Sequence, residues 1–99
     1  MHAETRVEAI RAQLGAALHT QTVEVIDDSR LHAGHAGARD GKGHFRVRVV
    51  SEDFRGLRAL QRHQLVYRAL GALMQTDIHA LGVTALTPDE AQAHTGQSV

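Results

Sequence analysis

The segment His44-Phe45-Arg46-Val47-Arg48-Val49-Val50-Ser51 alternates apolar and polar side chains over most of its length. A period of two puts Phe45, Val47 and Val49 on one face of a strand, and His44, Arg46 and Arg48 on the other. Such a strand cannot stand alone, because its apolar face must be covered and its edges paired. Material for both is present in the chain. Upstream, Val7, Ile10, Leu14, Ala17 and Leu18 recur at spacings of three and four, the stripe of a helix that faces a core. Thr5 and Glu8 stand before it in the pattern of a capping box. Downstream, residues 51–77 read as mostly helix, with Gly56 separating a short first turn from one long helix. Leu60, His63, Tyr67, Leu70 and Met74 form its stripe, flanked by Val66 and Leu73.

Two more strands are predicted. In "TVEVID", Val23 and Val25 alternate with Glu24, and "HALGVTAL" gives a third, weaker signal because it is rich in Ala and Gly. "TPDE" is a helix start, with Thr87 as N-cap, Pro88 at the first helical position and Glu90 closing a capping box. That helix should run to about His94, leaving 95–99 as a frayed tail. The order α-β-β-α-β-α predicts an α+β two-layer sandwich: a three-stranded mixed sheet with helices on one face and the other face open to solvent or a partner. No internal repeat and no second domain is visible. One domain over 1–99, with its core in about 5–94, is the expectation, and 42% hydrophobic residues suffice for one core.

Composition removes several function classes. The chain has no Cys, so it forms no disulfide, no thiolate zinc site and no self-contained thiolate-bound iron–sulfur cluster. Any iron–sulfur chemistry needs sulfur from elsewhere. Lys+Arg and Asp+Glu both number 11, and the resulting zero net charge argues against a broad positive field for nucleic acid. The only aromatics, Phe45, Phe54 and Tyr67, are too few to stack a single strand of bases. The start lacks a secretory or transit pattern and no apolar run approaches ~20 residues, so a cytoplasmic, membrane-free protein is expected. Catalysis finds no Cys nucleophile, no motif around Ser51 and no paired base near Asp27-Asp28-Ser29. The chain therefore reads as no enzyme.

The eight histidines are the unusual feature. His32 and His35 lie in a glycine-rich segment, a flexible loop over about 29–43, far longer than a tight hairpin needs. Spaced i and i+3, they could approach one metal ion or be solvated loop residues, and two imidazoles are too few for a closed zinc site. His63, in the centre of the helical stripe, reads as a buried, hydrogen-bonded structural residue. His44 reads as surface or hinge packing on the outer strand face. His79 falls where the helix returns into the third strand, and local parity cannot place it. His2, His19 and His94 read as incidental. Gly34-His35-Ala36-Gly37 matches the GxxG of KH-type RNA-binding domains, but it lies between strands rather than helices and is taken as coincidence.

Taken in series, "DDSRLHAG", "HFRVRVVS", "FRG", "RHQLVY" and "IHALGVTALTP" resemble the BolA family over residues 5–92. The resemblance implies a KH-like α+β fold without the GxxG between its helices. It also implies a partner, a monothiol glutaredoxin, with which BolA-like proteins form a heterodimer that can hold a [2Fe-2S] cluster. In such complexes the glutaredoxin cysteine and a glutathione thiol supply sulfur. The BolA-like chain supplies the histidine before Ala-Leu, here His79, and a Cys or His from the loop, here His32 with His35 as the alternate. Without its partner such a chain is expected to carry no cofactor, as a monomer or weak homodimer.

The implied role is an adaptor in iron–sulfur cluster trafficking or iron regulation. The alternative, implied by family members described as transcriptional regulators in stress responses, is DNA binding. Arg46, Arg48, Arg58 and Arg62 are its candidate contacts. Against it stands a solvated surface in which Glu24, Glu52 and Asp53 balance the arginines.

Overall fold

The computed structural model describes residues 3–29 and 42–97, with side chains over 5–29 and 42–93. In chain order it contains α1 (Ala3–Ala17), β1 (Thr20–Asp27), β2 (Gly43–Ser51), a 3-10 turn (Glu52–Phe54), α2 (Ala59–Leu70), α3 (Leu73–Thr76), β3 (Ile78–Leu86) and α4 (Pro88–Gln97). This is the α+β order read from the sequence. β2 is the central strand, antiparallel to β1 and parallel to β3, so the three-stranded sheet is mixed. The parallel pair requires a crossover, which α2 and α3 supply.

The alternation of β2 decides the layers. Phe45, Val47 and Val49 are buried and meet Ile10, Leu14 and Leu18 of the first helical stripe, with Phe54, Val66, Ala69, Leu70 and Ile78. Phe54, fully buried on the 3-10 turn, is with Phe45 one of the two phenylalanines of this core. α1 packs on β1, and α2 lies against α1 and β3. At the end where β2 and β3 finish, Val50 carries the outer-face parity of Arg46 and Arg48 but lines a groove with Pro88, Ala91 and Gln92. α4 therefore shelters that end of the outer face.

Several local expectations are corrected. α1 begins at Ala3, so Thr5 lies inside the helix rather than at its N-cap, and Glu8 pairs with Arg11. The long helix is two: Gly71, at φ 55°, ends α2 with a backbone conformation that a side chain would strain. The stripe of α2 is rotated from the one read in the sequence. Leu60 is 68% exposed and Tyr67 39%, while Val66, Ala69 and Leu70 face the core. His63 moves with them to a half-buried flank, its ring 6.5 Å from that of Tyr67. The cause is Arg62, whose stem occupies a core-side position while its guanidinium bonds the Leu57 and Ala85 carbonyls. α4 extends to Gln97, beyond the expected end at His94. Its start is as read: Glu90 accepts the Thr87 N–H at 2.8 Å and Thr87 Oγ1 accepts the Glu90 N–H at 3.4 Å.

Candidate functional site

The starts of β2 and β3 and the finish of β1 share one end of the sheet. Local polar chemistry ties them together. Asp27 Oδ1 accepts the Ser29 N–H at 2.8 Å, an Asx-type turn that ends β1. Ser29 Oγ accepts the His44 N–H at 3.0 Å, and the His44 carbonyl accepts the Asp28 N–H at 2.7 Å. The Gly43 N–H reaches the Asp77 carbonyl at 2.9 Å, joining β2 to the approach of β3. Gly43 is tightly enclosed: a Cβ there would lie 2.5 Å from the Phe45 ring and 3.0 Å from Ser29 Oγ. The acidic-acidic-Ser signature is thus a clasp for the first residues of β2.

β3 enters this end irregularly. Gly43 pairs with Ile78, but His44 pairs with Ala80. One residue step on β2 spans two on β3, so His79 is the extra residue of a bulge. Bulges re-aim side chains. Ile78 stays in the core, whereas His79 is exposed and its ring centroid lies 5.0 Å from that of His44, with planes tilted by 46°. Parity counting could not place His79 because the bulge breaks parity at that residue. Before it, Asp77 is buried and accepts from the Thr76 hydroxyl and from Arg6; these donors, Thr76 foremost, hold its carboxyl below the usual carboxylate range.

His32 and His35 lie outside the described residues, as do His2 and the side chain of His94. The described residues that flank their segment, Ser29 and Lys42, lie at the clasp. Among the described residues no group of three or more His, Cys, Asp or Glu is placed to hold a metal ion. The described residues bring two imidazoles together, those of His44 and His79, which suits a shared site rather than a closed one.

The arginines are dispersed. Arg46 pairs with Asp28, and that hydrogen bond raises its pKa further; Arg48 pairs with Glu24 at 3.2 Å. Both project from the outer sheet face. Arg62 belongs to the helical layer and bonds Glu90 at 2.6 Å with only 14% of its side chain exposed. Arg58, exposed before α2, donates its backbone N–H to Gln61 Oε1 at 2.9 Å. The four do not form one surface. The expected balancing acids are partly right: Glu24 takes Arg48 and Glu52 takes Arg55, but Asp53 serves His19.

His19 is not incidental to the fold. Its N–H donates to Asp53 Oδ2 at 2.8 Å, and its carbonyl accepts the hydroxyl of fully buried Ser51 at 2.7 Å. The His19 N–H is the main reason the Asp53 carboxyl titrates below its usual range. The missed signal was Ser51-Glu52-Asp53 as a cap sequence, since Ser51 Oγ also accepts the Asp53 N–H.

A family model for BolA-like proteins matches residues 14–90. The chain belongs to the BolA-like family. It is 37% identical to the chloroplastic protein BOLA1 of Arabidopsis thaliana over 89% of this chain and 57% of that one. Its identity to mouse BolA-like protein 1 is 45%, over 81% of this chain and 56% of the relative. It thus spans little more than half the length of these relatives. The DNA-binding transcriptional regulator BolA of Escherichia coli is 37% identical over 84% of this chain and 76% of its own. The solved BolA domain of SufE1 from Arabidopsis thaliana superposes with a TM-score of 0.76 at 36% identity, covering 91% of this chain and 98% of that domain. No helix among the described residues of this BolA-like chain is long and apolar enough to cross a membrane.

Proposed function

We propose that this BolA-like protein is a non-enzymatic cytoplasmic adaptor that shares a [2Fe-2S] cluster with a monothiol glutaredoxin and glutathione. His79 is its fixed ligand, and His32, or in its place His35, is its loop ligand. The observation that carries the reading is the bulge: it turns an imidazole outward at the sheet end where the 30–41 segment begins and ends. The donor chemistry agrees. A chain without cysteine has no thiolate to offer, and two neutral imidazoles beside two partner thiolates make a Rieske-type ligand set. Such a cluster, when bound, supplies one-electron redox chemistry at a potential raised by the histidines. The protein's part is to present the ligands, with the clasp at Ser29 and Gly43 holding β2 beside the strand that carries His79.

The test mixes the protein with a glutathione-loaded, cluster-bearing monothiol glutaredoxin, reading visible circular dichroism and paramagnetic resonance after reduction. A Rieske-like spectrum that disappears in His79→Ala is the expected result, with His32→Ala and His35→Ala then identifying the loop ligand. An unchanged partner spectrum overturns the reading.

DNA binding is the second reading, favoured by what the E. coli relative is called. The ion pairs of Arg46, Arg48 and Arg62 weigh against it. A steep fall of log affinity with log salt, lessened in Arg58→Ala, would reverse that weighting.

A further inference from the structure

We infer that His44 and His79 form a two-imidazole chelate for one divalent cation of the zinc type, held by this chain without any partner. The distance is the first argument. Two imidazoles bound tetrahedrally to one ion at metal–nitrogen distances of about 2.0–2.1 Å hold their ring centroids roughly 5 Å apart. His44 and His79 are at 5.0 Å, and their 46° tilt is not the parallel arrangement of a stacked pair.

The second argument is rigidity. Both rings stand on strands, and a site on strands is held more closely than one on a loop. His44 is fixed through its own backbone, bonded on one side to Ser29 Oγ and on the other to the Asp28 N–H. His79 is set by the bulge between Ile78 and Ala80, whose partners on β2 are Gly43 and His44. The pairing therefore brings the two histidines together before any ligand arrives, and little ordering is left for binding to impose.

The third argument is room. A solvent-facing hollow of about 250 Å³ is lined by His44, Asp28, Arg46, Ala80 and Gly82. Two protein ligands leave a tetrahedral ion two positions short; His79 lies outside this lining but is itself exposed, so solvent water can reach and fill them. Asp28 is engaged by Arg46, so the donors to the ion are imidazole and water rather than carboxylate. Imidazole donors select zinc, nickel and copper over the harder magnesium and calcium.

This chelate shares His79 with the proposed cluster site but uses neither the 30–41 segment nor glutaredoxin. The test is calorimetric titration of the intact protein with zinc chloride, while nuclear magnetic resonance follows the histidine ring nitrogens. The expected result is saturable one-to-one binding that moves the His44 and His79 rings. His79→Ala and His44→Gln each weaken it at least tenfold, and the double variant His32→Ala/His35→Ala stays within twofold of the parent. His44 is half-buried; should His44→Gln fail to fold, the ring shifts of the parent protein decide. Zinc that moves the His32 or His35 rings and leaves His44 unmoved overturns the inference, as does the absence of saturation up to millimolar zinc. No glutaredoxin is present, so this outcome is read separately from that of the cluster experiment.

Discussion

At the end of the sheet where β2 and β3 finish, charged side chains are used up on one another. Arg62 ties α2 to β3 and α4, Arg55 bridges Glu52 and Asp89, and His19, Ser51 and Asp53 close a polar ring around the finish of β2. At the opposite end the strands are clasped through backbone, hydroxyl and Asp27 bonds beside the Arg46–Asp28 and Arg6–Asp77 ion pairs, and the ring side chains of His44 and His79 are brought to one spot. Both ends fasten the same strands, but among the described residues only one does so while bringing two imidazoles together. The difference separates residues that hold the fold from those that carry the site, and substitution at each end tests it.

The largest effect should come from the locked end. Arg62→Ala removes four hydrogen bonds, to the carbonyls of Leu57 and Ala85 and to both oxygens of Glu90. Hydrogen bonds to a charged group dominate that loss, and about 2–3 kcal/mol of stability should go with them. Urea unfolding measures it. Zinc binding by the folded variant should be unchanged, and a large loss of binding would mean that the two ends are coupled.

Gly43→Ala attacks the other end through sterics. The new methyl would meet the buried Phe45 ring, and overpacking of this kind costs about 1–3 kcal/mol. Here the comparison predicts a joint effect. Gly43 stands opposite Ile78 at the bulge, so the His44–His79 arrangement should loosen along with the fold. The same titration read against urea midpoints distinguishes this from a purely local core defect.

Acid should loosen the locked end. Arg62 foremost, and then the Thr87 N–H, hold the Glu90 carboxyl at a pKa of about 2, below its ordinary 4.5. A folded-state value below the unfolded one means the stabilisation is complete above about pH 4.5 and is lost as pH falls toward about 2. Glu90 is 41% exposed on its side chain, so screening limits the contribution to at most about 1 kcal/mol. Glu90→Gln should flatten this limb of the stability–pH curve. Some acid loss will persist in the variant, because Asp53 and Asp77 are also held below their usual range by their hydrogen bonds.

Legibility in the sequence followed the range of the interaction. Thr87-Pro88-Asp89-Glu90 announced a helix start because every contact lies within one turn, and β2 announced its two faces because alternation survives in any context. α2 was misread because Leu60 and Tyr67 are apolar by type, whereas the core-side position went to the stem of Arg62, whose partners lie 23 and 28 residues away. His19 was passed over for the same reason, its partner Asp53 being 34 residues on. Within the candidate site, His79 was recognised by motif and its direction was not. That direction depends on the register between β2 and β3, which no local window contains. The meeting of His44 with His79 is likewise a fact of pairing.

The smallest expected effect is the most telling one for the division between the two ends. His79 is exposed and is the surplus residue of a bulge, so no core contact depends on its ring. His79→Ala should change stability by less than about 0.5 kcal/mol, as substitutions at exposed positions generally do. The same substitution should abolish the histidine-ligated spectrum with glutaredoxin and weaken zinc binding. Urea midpoints of parent and variant, measured without metal, supply the comparison. A loss of 2 kcal/mol or more, about that of a hydrogen bond to a charged group, would move His79 among the residues that fasten the sheet. The His44–His79 contact would then be a structural one, and the separation between a locked end and a presenting end would fail at the residue on which it depends most.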